Sequence, residues 1–238
     1  MRIADAYRRQ IIDGDLTPGD KLPTVQALAT EHGVSTATVK KALSQLTVEG
    51  YIYTSPRQGS YVSDTAYAAS SPRDRLERVN RTGSVHGSGE TIRVTSAQLV
   101  VPPVYVAELY DIEPGMQVVR REWVTGRGQS RLMLSVSWHP AEFAVQVPDL
   151  LSTAPGAAND LITKILTATG RVVTHARDDF HARQADKREA GLLGMSEGGT
   201  ILAGAHRWSD DLGLIEYGEW CLPALHTIGY EYTPGASN

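Results

Sequence analysis

One cysteine, Cys221, stands in 238 residues, so no internal disulfide framework and no cysteine-based zinc site can form. Long apolar runs are missing as well. No stretch nears the ~18–20 uncharged apolar residues of a membrane span, and residues 1–9 carry charges where a secretory leader needs an apolar run. The expectation is a soluble, cytoplasmic chain with no membrane partner. Charge is not one-sided either, with 23 Lys/Arg against 27 Asp/Glu and a net of −4. That sum hides a gradient. Residues 1–62 hold seven basic and six acidic side chains, residues 63–91 four of each, and residues 92–238 twelve and seventeen. The acidity belongs to the C-terminal part, so it does not exclude nucleic-acid binding by the first.

Catalytic signatures are equally scarce. There is no Gly-x-Ser-x-Gly elbow, His-Glu-x-x-His, Walker loop or Cys-x-x-Cys. His175 and His181 flank Asp178 and Asp179, but six residues along a strand separate them by about 20 Å, too far for one metal ion. The reading is therefore no enzyme, no metal and no cofactor.

What is present begins with three helices. Ile3, Ala6, Tyr7, Ile11 and Ile12 recur at helical spacing and Gly14 ends the run. A Pro/Gly turn over 16–23 returns the chain to Thr24, an N-cap for a second helix with Val25, Leu28 and Ala29 on its apolar face. Gly33 stops that helix, and Ser35 caps a third carrying Val39, Ala42, Leu43 and Leu46, up to Gly50. Two helices across a short glycine turn outline a helix-turn-helix. The β-favouring runs 51–54 and 60–62 flank Ser55-Pro56-Arg57-Gln58-Gly59 and predict a hairpin wing. Residues 1–63 thus read as a winged helix-turn-helix and 64–91 as a linker, with a short helix over 74–79. Residues 92–238 read as an α+β domain on a mainly antiparallel sheet. Its strands fall at 92–101, 117–124, 132–138, 171–182, 201–208 and 215–222, its helices at 103–110, 160–169 and 185–193.

The first block resembles the GntR family of bacterial transcription regulators. The matching residues are Gly14, Pro18-Gly19, Leu22-Pro23, Val34-Ser35, Thr38-Val39-Lys40, Leu46, Glu49-Gly50 and Gly59-Ser60-Tyr61-Val62. The resemblance implies double-stranded DNA as partner. The third helix would present Ser35, Thr36, Ala37, Thr38 and Lys40 to a major groove. Lys40, Lys41, Lys21 and Arg8 or Arg9 would neutralise phosphates. Thr24 and Gln26 begin the second helix, and Arg57, Gln58 and Gly59 form the wing tip, where an arginine suits a narrow minor groove. Gln26, Thr36 and Lys40 stand where family members carry arginine, which weakens guanine readout.

Residues 92–232 resemble the UTRA domain of the HutC subfamily, with a chorismate-lyase-like fold. The resemblance rests on 97–109, Pro114-Gly115, 118–121, 135–140, Asp160-Leu161, Leu192-Leu193-Gly194 and 212–217. It implies a small-molecule effector in a cleft and a homodimer on a palindromic operator. Arg121 is expected to fork onto an anion. Ser135, Ser137, Trp138 and Glu216 follow as effector candidates, then His175, Arg177 and Tyr217. Trp123 and Val136 replace an Arg and a Glu of sugar-phosphate-sensing relatives, implying a less charged, more hydrophobic effector. Two further readings stay open, a repressor without an effector and, behind it, a lyase-like enzyme.

Overall fold

A computed structural model of the chain describes residues 2–55, 58–63, 68–70, 72–82, 90–127, 130–156, 160–223 and 226–229. Helices α1 (Arg2–Ile12), α2 (Val25–His32) and α3 (Thr36–Val48) precede an antiparallel hairpin of β1 (Ile52–Ser55) and β2 (Gly59–Val62). Their apolar faces meet in one core where Ala4, Leu28, Val39, Leu46, Ile52 and Val62 are completely buried. The predicted caps form. Thr24 Oγ1 accepts from Ala27 N at 3.2 Å and Ser35 Oγ from Thr38 N at 3.2 Å, each worth about 1 kcal/mol. Gly33 closes α2 in the left-handed region, φ 63°, where a side chain would be strained.

The segment read as a linker carries the expected short helix, longer than 74–79 and folded against the second domain. A short strand β3 (Ala68–Ser70) leads into a three-turn helix α4 (Pro72–Thr82). Arg75 and Val79 of α4 are buried, and Leu76 and Val79 pack in a core with Trp208 and Ile215. A charged-looking helix is therefore part of the second domain's interior. No periodicity within so short a segment signals which of its arginines turns inward.

The second domain continues with β4 (Thr91–Val100), α5 (Val104–Tyr110), β5 (Val118–Arg127), β6 (Ser130–Pro140), α6 (Phe143–Gln146), a 3₁₀ turn (Pro148–Leu151) and α7 (Leu161–Thr169). It ends with β7 (His175–Gln184), α8 (Lys187–Leu193), β8 (Thr200–Asp210), β9 (Gly213–Pro223) and β10 (Thr227–Gly229). Strands β4 to β9 make one six-stranded antiparallel sheet in the order β4-β5-β6-β9-β8-β7. A separate parallel pair joins β10 to β3. The architecture is α+β, with the sheet as expected. Residues 171–174 do not join β7, and Arg171 pairs with Asp210 at the end of β8.

Strand alternation divides the sheet into two faces. The register aligns Arg121, Ser137, Gly218, His206 and Asp178 across β5, β6, β9, β8 and β7 on one face. Arg120, Trp138, Tyr217, Arg207 and Arg177 align on the other. Helix α4, α6, the 3₁₀ turn and α7 cover the first face through Val79, Phe143, Leu150 and Ile165. The second face carries α5 at one end, through Val106, and α8 at the other, through Leu193.

Candidate DNA-contact surface and effector site

The first turn of α3 stands clear of its own domain. Ser35, Thr36, Ala37, Thr38, Lys40 and Lys41 are all exposed, whereas Val39 between them is fully buried and anchors the helix. Ser35 and Thr38 hydroxyls lie 2.9 Å apart, so part of their hydrogen-bonding capacity is internal. Thr24 and Gln26 are exposed at the start of α2. Lys21 is exposed, with Nζ 5.7 Å from the centroid of the Tyr61 ring, itself stacked on Tyr53. Gly59 is exposed beside it, and a Cβ there would come within 3.2 Å of Lys21 Cε. Gln58 is exposed and its carbonyl accepts from Tyr61 Oη. Arg57 lies outside the described residues.

Arg8 does not belong to this surface. Its guanidinium grips Glu49, with Nε to Oε2 at 3.0 Å and Nη2 to Oε1 at 2.9 Å, and also reaches Asp5. Glu49 is 3% exposed. The Glu-Gly pair closing α3 therefore serves as counter-charge to α1, and the arginine expected on phosphate is engaged inside the domain.

On the first face of the sheet a polar cluster is sealed in apolar surroundings. Arg121 is 1% exposed. Its Nη1 donates to the carbonyls of Asp149, Leu150 and Ser152 at 2.8, 2.7 and 3.0 Å. The side chain thus ties the 3₁₀ turn to the sheet by serving its free carbonyls, and Nη2 has no partner among the described residues. An Arg expected to give its whole fork to a ligand has Nη1 already engaged by the protein.

His139 sits beside it, fully enclosed. A carbonyl only accepts, so His139 Nδ1–H donates to Ile215 O at 3.2 Å, which leaves Nε2 to accept from Ser137 Oγ at 3.2 Å. Burial holds this imidazole below its ordinary pKa, against the pull of Glu216, and so keeps it neutral. Burial pushes Glu216 up. The hydrogen bond from His206 Nε2 at 3.0 Å and the charge of Arg75 outweigh that and hold the carboxyl below its usual range. Gly218 makes this possible, since a Cβ there would fall 2.0 Å from His206 Cε1. Gly204 admits the Trp220 ring in the same way.

Several buried atoms here have no hydrogen-bond partner among the described residues. They are Arg75 Nε and Nη2, Arg121 Nη2, Trp208 Nε1, Trp220 Nε1, Ser135 Oγ and His206 Nδ1. Five of them are N–H donors. An unmet buried donor costs about 1–3 kcal/mol, and five of these atoms belong to first-face strand residues, the two of Arg75 to α4.

The sequence-predicted effector residues divide between the faces. Arg121, Ser135, Ser137 and Glu216 meet on the first, with half-buried Trp123 two residues along β5 from Arg121. Trp138 and Tyr217 lie on the second. Trp138 Nε1 donates to Glu219 at 3.0 Å beneath the Arg120 guanidinium, and Tyr217 N donates to Tyr110 Oη. His175 is exposed against Thr174, and Arg177 is exposed and paired with Asp179. The pairs 137/138 and 216/217 could not share a site, because adjacent strand residues point to opposite faces. Arg75, His139, His206 and Trp220 were missed, although strand parity with Ser137 and Glu216 would have found His139 and Trp220; His206 needed the register of β8 against β9.

Residues 1–62 match the family described as bacterial regulatory proteins, gntR family, and residues 86–224, more than half of the chain, match the UTRA domain. The mannosyl-D-glycerate transport/metabolism system repressor MngR of Escherichia coli is 48% identical over 63 residues, 26% of each chain. The transcriptional repressor NagR of Bacillus subtilis is 24% identical across 84% of this chain and 80% of its own. Among solved structures, PhnF from Mycobacterium smegmatis superposes with a TM-score of 0.58 at 17% identity, covering 97% of this chain and 99% of its own. The chain belongs to the GntR family of DNA-binding transcription regulators, in the group that carries a UTRA domain.

Proposed function

We propose that the chain is an effector-released repressor that binds a palindromic operator as a homodimer in the cytoplasm, with no catalytic role. One observation carries this reading. The same chain presents a bare, exposed helix N-terminus and, in a separate domain, a buried face rich in N–H groups awaiting acceptors. Ser35, Thr36, Ala37 and Thr38 read base edges in the major groove, and Lys21, Lys40 and Lys41 neutralise phosphates. Thr24, Gln26, Gln58 and Gly59 contact the backbone and the adjoining groove. Two third helices then sit about 34–36 Å apart on successive half-sites. The effector is held at Arg121, Trp123, Ser135, Ser137 and Glu216. DNA and effector favour different arrangements of the dimer, so each weakens the other by the same coupling free energy, typically about 1–3 kcal/mol.

The test is a gel shift with a duplex selected from random-sequence DNA by the full-length protein. Lys40→Glu abolishes binding while the melting temperature stays unchanged. Retained affinity would remove α3 from the interface.

A further inference from the structure

The side of the wing that faces away from the core carries an ordered row of side chains. Lys21 forms an antiparallel bridge with Tyr61, and the bonds Leu22 N to Ser60 O at 2.9 Å and Val62 N to Asp20 O at 2.8 Å flank it. Tyr61 in turn pairs with Tyr53 across the hairpin. Residues directly opposite in antiparallel strands share a face, so Lys21, Tyr61 and Tyr53 form one row. Their sequence neighbours Leu22, Ile52 and Val62 are buried in the domain core, which turns the row outward.

Two contacts leave Tyr61. Its ring is stacked on Tyr53 with centroids 5.6 Å apart, and the Lys21 ammonium lies 5.7 Å from its own centroid, within cation–π range. Its hydroxyl donates to Gln58 O at 3.2 Å, across the turn of the wing tip. The stem of Lys21 runs beside Gly59, where φ is 111° and a Cβ would lie 3.2 Å from Cε. A free lysine gives up rotamer freedom when it settles on a phosphate, whereas one already resting on a ring has given up part of it beforehand. The hydroxyl restrains the tip in the same way.

We infer that Tyr61 is a positioning residue for DNA binding: its ring holds the Lys21 ammonium ready for a phosphate, and its hydroxyl holds the wing tip at Gln58 and Gly59 in shape for the groove. The inference rests on the reading of Lys21, Gln58 and Gly59 as DNA contacts given above, and it adds the residue that sets their geometry. Tyr61 acts through these neighbours and not by touching the duplex. Phenylalanine at this position keeps the ring and removes the hydroxyl; leucine removes both.

The experiment plots log affinity against log salt for the full-length protein and its selected duplex. Lys21→Gln is expected to lower the slope by about 0.9, the share of one phosphate. Tyr61→Leu lowers it by a similar amount, and Lys21→Gln added to Tyr61→Leu lowers it no further. Tyr61→Phe keeps the wild-type slope but binds about threefold more weakly at every salt concentration, the size of one neutral hydrogen bond. Because the row is outside the core, Tyr61→Phe melts as the wild type does. Partial unfolding of Tyr61→Leu would weaken binding alike at all salt concentrations, so a changed slope is not a folding effect. A slope lowered by Lys40→Gln but not by Lys21→Gln removes Lys21 from the DNA, and the role of the ring falls with it. A slope lowered by Lys21→Gln but not by Tyr61→Leu overturns the positioning role and leaves the Lys21 contact standing. A slope lowered equally by Tyr61→Phe overturns the part given to the ring, and wild-type affinity in Tyr61→Phe overturns the part given to the hydroxyl.

Discussion

Val48 at the end of α3 closes over Gly194 at the end of α8, so near that a Cβ on Gly194 would lie 2.2 Å from Val48 Cγ1. This contact joins the DNA-binding domain to the effector domain. Gly194 also has φ 73° and caps α8 by donating to Ala190 O, so two separate features demand a glycine. Gly194→Ala is expected to lower stability by about 1–2 kcal/mol through backbone strain and, through the clash, to lift α3 off its seat. Adding Val48→Ala relieves the clash and leaves the strain. A denaturation cycle over the two positions should therefore show a coupling of about 1 kcal/mol. Strict additivity would mean that the two side chains do not meet in solution.

The Arg8–Glu49 pair predicts a division of labour among the basic residues. Glu49→Gln leaves a largely buried guanidinium with only the exposed Asp5 as counter-charge and should cost roughly 2 kcal/mol in urea unfolding. The double variant Arg8→Met, Glu49→Leu should recover most of that loss. The plot of log affinity against log salt discriminates further. Each phosphate contact contributes about 0.9 to its slope, so Lys40→Gln lowers it and the Arg8/Glu49 double variant does not. A lowered slope in the double variant would return Arg8 to the DNA.

Cys221 faces α8 rather than solvent, and burial, with Glu189 nearby, pushes its thiol up to about 12. The thiolate is the reactive form. Native protein is expected to resist a chromogenic disulfide reagent at pH 8, and denatured protein to release one equivalent. Rapid labelling of the native state would show that the α8 end of the sheet opens.

The winged helix-turn-helix was legible because its signals are local. Pro18-Gly19, the caps Thr24 and Ser35, Gly33 and Gly50 each dictate a turn or terminus within a few residues. Six strands of the effector domain were legible for the same reason. What the sequence did not show was Arg75 inside the protein. Arg73, Asp74, Arg75, Glu77 and Arg78 crowd five charges into six positions, and only tertiary packing selects which of them turns inward. The grouping of Trp138 and Tyr217 with Ser137 and Glu216 failed differently. Alternation already separated them, but the family resemblance gathered them by proximity in sequence.

The buried histidines make a prediction about acid. His139 and His226 both have pKa values held below the ordinary 6.5, chiefly by burial. An unfolded chain protonates them as pH falls through about 6.5, and the folded chain does not. Their contribution to stability is therefore complete above that value and is lost progressively below it, until the folded pKa is reached. Glu216 is also depressed, but from 4.5, so its contribution stays whole until the pH falls below that value. Between pH 6.5 and about 4.5 the histidines alone among these three set the slope. Each contributes at most about 1.4 kcal/mol per pH unit. His139→Gln should keep a donor to Ile215 O while deleting one of the two titrations. Urea unfolding at pH 7.5, 6.0, 5.5 and 5.0 should then show a shallower loss in the variant, by up to half. Parallel curves for wild type and variant would mean that His139 is protonated in the folded protein, with the Glu216 carboxylate beside it as its partner.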